Sequence, residues 1–223
     1  MELRHIRNIP ALSEKECALL RQKTVAVVGC GGLGGYLVEQ IARLGIGNIR
    51  CVDGDVFEES NLNRQLLCTR ALLGVGKASA AAERIRAIDP EIRVQTFPVY
   101  LDEANVRFLI AGCDAVLDGL DNVPARKILA KACGEENIPY IYGAVSGWTA
   151  QAALCMPADG LMEKLYPEDV PTENKSVLSF TPALCASVQT ALCVKWLTGR
   201  PVQSGVLHRW DLLWEDHAKM QIK

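Results

Sequence analysis

From Thr24 to about Val145, short apolar runs alternate with stretches whose apolar residues recur every three or four positions. The runs TVAVVG (24–29), NIRCVD (48–53), IRVQTFPVY (92–100), CDAVLDGL (113–120) and IPYIYGAV (138–145) read as strands, with TAQAALCMP (149–157) as a sixth. Helical spacing covers 34–44, 77–88, 102–110 and 124–136, with Asp102 as an N-cap and Pro124 in a first turn. Such alternation predicts an α/β fold: a mainly parallel sheet with helices on both faces. A later apolar helix, 182–197, ends at Thr198-Gly199-Arg200-Pro201, and the tail offers a late strand. The pattern breaks over 1–22, read as an N-terminal helical arm, and over 158–180, which is rich in Pro and charge and reads as a mobile loop.

At 223 residues the chain suffices for one α/β domain spanning 1–223 and leaves no room for a separate substrate domain. A net charge of −2 offers no electrostatic case for nucleic acid. No apolar stretch reaches the ~20 residues of a membrane span and no signal region opens the chain, so a soluble, cytoplasmic protein is expected. The nine cysteines are odd in number, form no Cys-x-x-Cys pair and lie mostly inside apolar runs, which suits small buried thiols. His5, His208 and His217 complete no metal-ligand spacing, so no structural zinc is expected.

The chemistry concentrates after the first strand. Five glycines fall within Gly29–Gly35, and Gly29, Gly31 and Gly34 satisfy G-x-G-x-x-G between a strand and a helix. That context lets phosphates approach a helix N-terminus, and it makes the expected fold Rossmann-like and doubly wound. Asp53 ends the next strand, where an acid can accept hydrogen bonds from ribose hydroxyls. A redox dinucleotide and ATP both fit these features, as does a purely structural glycine turn. The following segment favours a triphosphate: Asn61, Asn63, Arg64 and Gln65 form a dense polar set, and Arg64 can grip phosphate oxygens as a planar fork. Lys77 opens a helix after Gly74 and Gly76, a placement that favours anions, although a solvated helix-cap lysine would look the same. Asp121 lies past the carboxyl end of the fourth strand, where it could hold magnesium against phosphates, whereas Asp118 reads as part of the strand end.

In these motifs the sequence resembles the ThiF/MoeB/HesA family of bacterial E1-like adenylyltransferases. The matching stretches are G-x-G-G-L-G at Gly29–Gly34, D-x-D at Asp53 and Asp55, NLNRQ at 61–65, GVGKA at 74–78, LDGLDN at 117–122 and YGAVSG at 142–147. RHIRNI at 4–9 matches the N-terminal R-Y-x-R-Q-I more loosely. The resemblance covers about the first 155 residues in order and continues more weakly to KWLTGRP. It implies a homodimer that uses ATP and Mg2+ to activate the C-terminal glycine of a small ubiquitin-like sulfur carrier ending in Gly-Gly, as an acyl-adenylate. It also implies roles for single residues. Gly29, Gly31, Gly32, Gly34, Asp53, Asp55 and Asn122 would bind nucleotide, Asn61, Arg64 and Lys77 its phosphates, and Asp121 magnesium. Arg7 would reach the neighbouring subunit's triphosphate, though an exposed helix arginine fits its position too.

The sequence departs from the family in lacking the two Cys-x-x-Cys pairs that hold zinc in many relatives, so it reads as a zinc-free short form. Residues 156–184 contain no cysteine, and Cys185 reads as part of an apolar helix face, which places sulfur transfer by this chain in doubt. Two other functions keep some of these features: carboxylate activation on a modified tRNA nucleoside, and an NAD-dependent oxidoreductase. The second leaves Arg64, Lys77 and Asp121 without a task.

Overall fold

The computed structural model describes residues 3–167 and 176–222. The strands are β1 (Thr24–Val28), β2 (Asn48–Val52), β3 (Arg93–Phe97), β4 (Ala115–Asp118), β5 (Tyr140–Ser146), β6 (Thr149–Cys155), β7 (Val206–Asp211) and β8 (Asp216–Gln221). They form one sheet in the order β3-β2-β1-β4-β5-β6-β7-β8. The block from β3 to β5 is parallel, and β6, β7 and β8 extend it antiparallel. The helices are α1 (Glu14–Leu20), α2 (Gly32–Leu44), α3 (Lys77–Ile88), α4 (Val106–Ile110), α5 (Val123–Glu135), α6 (Leu161–Leu165) and α7 (Phe180–Leu197).

One core joins the α2, α3 and α7 side of the sheet, including Leu37, Ile41, Ile85 and Cys193; the other joins the α4, α5 and α6 side, including Leu109, Leu129 and Met162. Both faces are therefore covered, as the alternating pattern requires. The connections reverse between β1 and β4, and in such sheets ligands bind outside the carboxyl ends of the strands at that point.

The expected strands and helices are all present, with shifted ends. The third strand stops at Phe97 rather than residue 100, because Pro98 has no N–H to give the ladder. Helix α4 starts at Val106, not 102; Asp102 instead accepts the N–H groups of Ala104 (2.9 Å) and Asn105 (2.8 Å) in the preceding turn. Helix α2 starts two residues early, at Gly32, and α7 at Phe180. The tail forms a two-stranded hairpin rather than a single strand.

The segment read as a mobile loop is partly structured. A 3-10 turn at Pro157–Asp159 leads into α6, whose Leu161 and Met162 are buried, and residues 168–175 lie outside the described residues. The N-terminal arm is a 3-10 helix, Leu3–Asn8, followed by α1, which opens on a Ser13/Glu16 capping box. Leu12 and Leu20 enter the core, so the second half of the arm belongs to the body of the domain. Among the described residues no helix is long and apolar enough to cross a membrane.

Candidate active site

The turn after β1 is built by backbone packed on backbone. Gly29 has φ +88°, and a Cβ there would meet Gly119 at 2.6 Å; a Cβ on Gly34 would lie 1.8 Å from the Gly29 carbonyl oxygen. These glycines bring the start of α2 down onto the ends of β1 and β4. The N-terminus of α2 has no side-chain cap, so its amides remain as donors.

Beside this turn lies a cavity of about 270 Å³. It brings together most of the residues singled out in the sequence: Gly29, Gly31, Gly32, Asp53, Asp55, Arg64, Lys77, Asp121 and Asn122 all line it. Asp53 is fixed by the Cys30 N–H on Oδ2 (2.7 Å) and the Asp55 N–H on Oδ1 (2.8 Å). Burial raises its pKa against those bonds. Lys77 is the first residue of α3 and is buried, its Nζ donating to Asp55 Oδ2 at 2.9 Å. Asp55 also accepts the Tyr100 hydroxyl at 2.5 Å, and chiefly this bond, with Lys77, lowers its pKa despite some burial. Arg64 donates from one nitrogen to Ser60 O (2.9 Å) and Asn63 Oδ1 (2.8 Å). Asp121 is exposed, with Oδ1 accepting from Asn122 Nδ2 at 3.2 Å; Asn122 Oδ1 in turn caps α5 by accepting the Ala125 N–H at 2.9 Å.

Three residues are placed elsewhere. Gly34 lies beneath the cavity as a packing contact. Asn61 is buried and holds a turn, accepting the Glu58 N–H (3.1 Å) and donating to Ser60 (3.3 Å), so it is not in the lining. Arg7 is exposed on the N-terminal 3-10 helix and is not in the cavity of its own chain.

Tyr100 and Arg126, neither singled out in the sequence, also line the cavity. Tyr100 follows the proline that ends β3, inside a run read wholly as strand. Arg126 is buried in α5, where its Nε meets Asp118 Oδ2 at 3.0 Å and its Nη2 reaches Leu120 O (2.6 Å) and Gly143 O (2.9 Å). Burial works against its charge, but the Asp118 carboxylate more than offsets that and keeps it protonated. An arginine on the otherwise apolar inward face of a helix was the available signal. Gln65 is buried at the cavity wall, and among the described residues its Oε1 has no hydrogen-bond partner.

Eight of the nine cysteines are buried, and Cys17 is partly so. Burial pushes the Cys185 thiol up to about 12, and its Sγ lies 3.1 Å from Gln151 O, so it is held as a thiol in the core. Among the described residues no three His, Cys, Asp or Glu side chains cluster as a metal site. A magnesium ion bridging phosphates needs only one or two carboxylates from the protein, and the exposed Asp121 at the cavity supplies a hard oxygen donor of that kind.

The model of the ThiF family matches residues 3–223. The chain is 34% identical over 184 residues to the SAMP-activating enzyme E1 of Haloferax volcanii, which covers 80% of this chain and 68% of that protein. It is 30% identical over 229 residues to the sulfur carrier protein adenylyltransferase of Thermus thermophilus, covering 96% of this chain and 84% of that one. With a probable adenylyltransferase/sulfurtransferase MoeZ of Mycobacterium tuberculosis it shares 35% identity over 202 residues, covering 86% of this chain and 52% of that protein. The chain thus spans from about half to over four fifths of these relatives' lengths. The structure of E. coli MccB with ATP superposes with a TM-score of 0.81 at 19% identity over 93% of this chain and 66% of that chain, which shows the same fold.

Proposed function

The chain belongs to the ThiF family, and from that premise we propose that it is an E1-like, ATP-dependent adenylyltransferase acting on the C-terminal glycine of a small ubiquitin-like sulfur carrier. The observation that carries this reading is the convergence of Arg64, Lys77 and Asp121 with Asp53 on one cavity at the carboxyl ends of the central strands. Hydride transfer from a dinucleotide would leave the first three idle. The printed names of the Haloferax and Thermus relatives support the choice of a carrier protein.

A carboxylate is a poor electrophile. Its oxygen attacks the α-phosphorus of ATP, the bond to the bridging oxygen of the β-phosphate breaks, and pyrophosphate leaves an acyl-adenylate whose AMP departs readily. No nucleophilic side chain is needed; catalysis is alignment of the phosphates and neutralisation of charge as pyrophosphate forms. The Gly31 and Gly32 amides at the open N-terminus of α2 hold phosphate oxygens, Asp53 accepts the ribose hydroxyls, and Arg64 and Lys77 carry the positive charge. Asp121 would hold magnesium, which when bound neutralises phosphate charge.

We read the active form as a homodimer, in which Arg7, exposed and outside the lining of its own chain's cavity, reaches that of the partner subunit. A Gly-Gly tail suits a channel too narrow for side chains.

The test is carrier-dependent ATP–pyrophosphate exchange. A β-grasp protein ending in Gly-Gly should stimulate exchange, and changing its final Gly to Ala, or deleting it, should abolish the effect. A requirement for tRNA, or equal rates with a free tail peptide, would overturn the carrier while leaving adenylation in place. Nicotinamide reduction in place of exchange would overturn both.

A further inference from the structure

The rim of the cavity carries an aromatic side chain that the mechanism above does not use. Tyr100 is 69% exposed, yet its ring is seated against Gly54, where a Cβ would lie 2.8 Å from Tyr100 Cγ. Its backbone is pinned by Asn105, whose Nδ2 donates to Tyr100 O at 2.8 Å and whose Oδ1 accepts the Asp102 N–H at 3.1 Å. So held, the hydroxyl donates to Asp55 Oδ1 at 2.5 Å, while Lys77 Nζ takes Oδ2 at 2.9 Å. The backbone of Asp55 is fixed as well: its N–H donates to Asp53 Oδ1 at 2.8 Å and its carbonyl accepts the Lys77 N–H at 2.9 Å.

We propose that Tyr100 is a positioning residue for Lys77, acting through the Asp55 carboxylate. A lysine ammonium is a point charge on a flexible four-carbon stem, and a single carboxylate partner can swing about its own Cβ–Cγ bond. With Tyr100 on one oxygen and Lys77 on the other, that rotation is blocked and the ammonium has one place in the cavity. Preorganised charge is what stabilises a transition state in which phosphate charge is moving. The short O–H···O⁻ bond is of the strong, charge-assisted kind, and the chain keeps the phenol at the rim although the ring itself is largely in water. The inference rests on the adenylation reading for what Lys77 does, though not for how Lys77 is held.

The test compares Tyr100→Phe, which keeps the ring, with Asp55→Asn and with the double variant. In pyrophosphate exchange Tyr100→Phe should lower kcat about 5- to 10-fold, the scale of a hydrogen bond to a charged group at an exposed rim, with KM for ATP and Tm nearly unchanged. The same change made on top of Asp55→Asn should cost less than about twofold, because the route to Lys77 is already cut. A kcat for Tyr100→Phe equal to or above that of the unaltered protein, or an equal penalty in both backgrounds, would overturn the proposal. A second readout does not depend on activity: the rate at which an amine-reactive reagent labels Lys77, followed by peptide mass spectrometry, should rise severalfold in Tyr100→Phe. No exchange by the unaltered protein with any Gly-Gly carrier would sink the adenylation reading, and the labelling rate would still decide the role of Tyr100, since an unchanged rate refutes it.

Discussion

Replacing Arg126 by methionine keeps most of the stem and removes the charge, which strands the fully buried Asp118 carboxylate. In the native protein Asp118 accepts Arg126 Nε at 3.0 Å, the Tyr140 hydroxyl at 2.5 Å and the Leu120 N–H at 2.8 Å. The two neutral donors survive the substitution, but burial already raises the Asp118 pKa above its ordinary value of 3.8, and without Arg126 it must rise further. The folded variant has two options. Keeping the charge costs about 3–5 kcal/mol, the usual penalty for breaking a buried pair. Taking up a proton costs about 1.4 kcal/mol for each pH unit between the ordinary value and the assay pH, or about 4 kcal/mol at pH 7. The costs are similar at pH 7, and protonation becomes the cheaper as pH falls. The sign follows from linkage: with the folded pKa above the unfolded one, Asp118 favours folding at low pH and that advantage is lost as pH rises toward the folded value. Relative to the native protein, the stranded carboxylate should therefore destabilise Arg126→Met by about 4 kcal/mol at pH 7 and by about 2 kcal/mol less at pH 5.5, on top of a pH-independent cost from the two carbonyls that lose Arg126. Urea unfolding at the two pH values measures this directly. Adding Asp118→Asn to Arg126→Met removes the titrating group and should recover the part of the loss at pH 7 that comes from the stranded carboxylate, leaving a pH-independent remainder from the Leu120 and Gly143 carbonyls, which lose Arg126 Nη2 as donor. A deficit of the same size at both pH values, with no recovery in the double variant, would refute the reasoning.

Asp121→Asn should lower pyrophosphate exchange about 100- to 1000-fold with little change in Tm, and an unchanged rate would remove Asp121 from the mechanism. Arg7→Ala and Asp121→Asn should each be nearly inactive as homodimers, whereas mixing the two should restore one composite site per dimer; no recovery after confirmed subunit exchange, or a monomer by light scattering, would refute the shared site. Asp89 is buried, but Arg21, the Glu91 N–H and Arg4 outweigh that burial and hold its carboxyl below the ordinary value of 3.8. Its stabilisation is complete above that value and lost as pH falls through the folded one, so Asp89→Asn should lower Tm at pH 7, and its deficit against the native protein should narrow on acidification, which thermal scans at pH 7 and pH 3 will show.

The parallel part of the fold was legible because its central strands, β1 and β4, are nearly unbroken apolar runs between helices of regular period, and because the glycine turn obeys a steric rule visible in the sequence. Gly29 and Gly34 are glycines since their backbones touch each other and Gly119. Two kinds of feature were less legible. The first is the end of an element. Pro98 stops β3 early, and the three residues after it turn into the cavity, so Tyr100 was hidden inside a strand. The second is pairing between distant residues. Asp55 reads as one more acid of a nucleotide motif until Lys77 and Tyr100 are seen on its two oxygens. Asn61, from the same kind of motif, holds a turn instead, because its neighbours in space are Glu58 and Ser60.

The wall of the cavity also shows why a polar cluster belongs beneath it. Strands β4 and β5 pair only at Val116↔Tyr140 and Leu117↔Ile141, and then part. Where they part, carbonyl groups lose the ladder, and a buried carbonyl without a donor is costly. Two side chains supply the donors. Gln189 of α7 donates from Nε2 to Asp118 O (2.8 Å) and Ile141 O (3.1 Å), filling a notch that exists because residue 143 is glycine. From the other face Arg126 takes Gly143 O and Leu120 O. The gap between the strands is thereby stitched from both sides, and the Leu120 carbonyl, next to Asp121, is tied to the sheet rather than left in a free loop. A buried ion pair of this kind is weak evidence for stability by itself. Its position here fixes the segment that carries Asp121 against a sheet that has just opened, which accounts for an arginine on an inward helix face that is otherwise apolar.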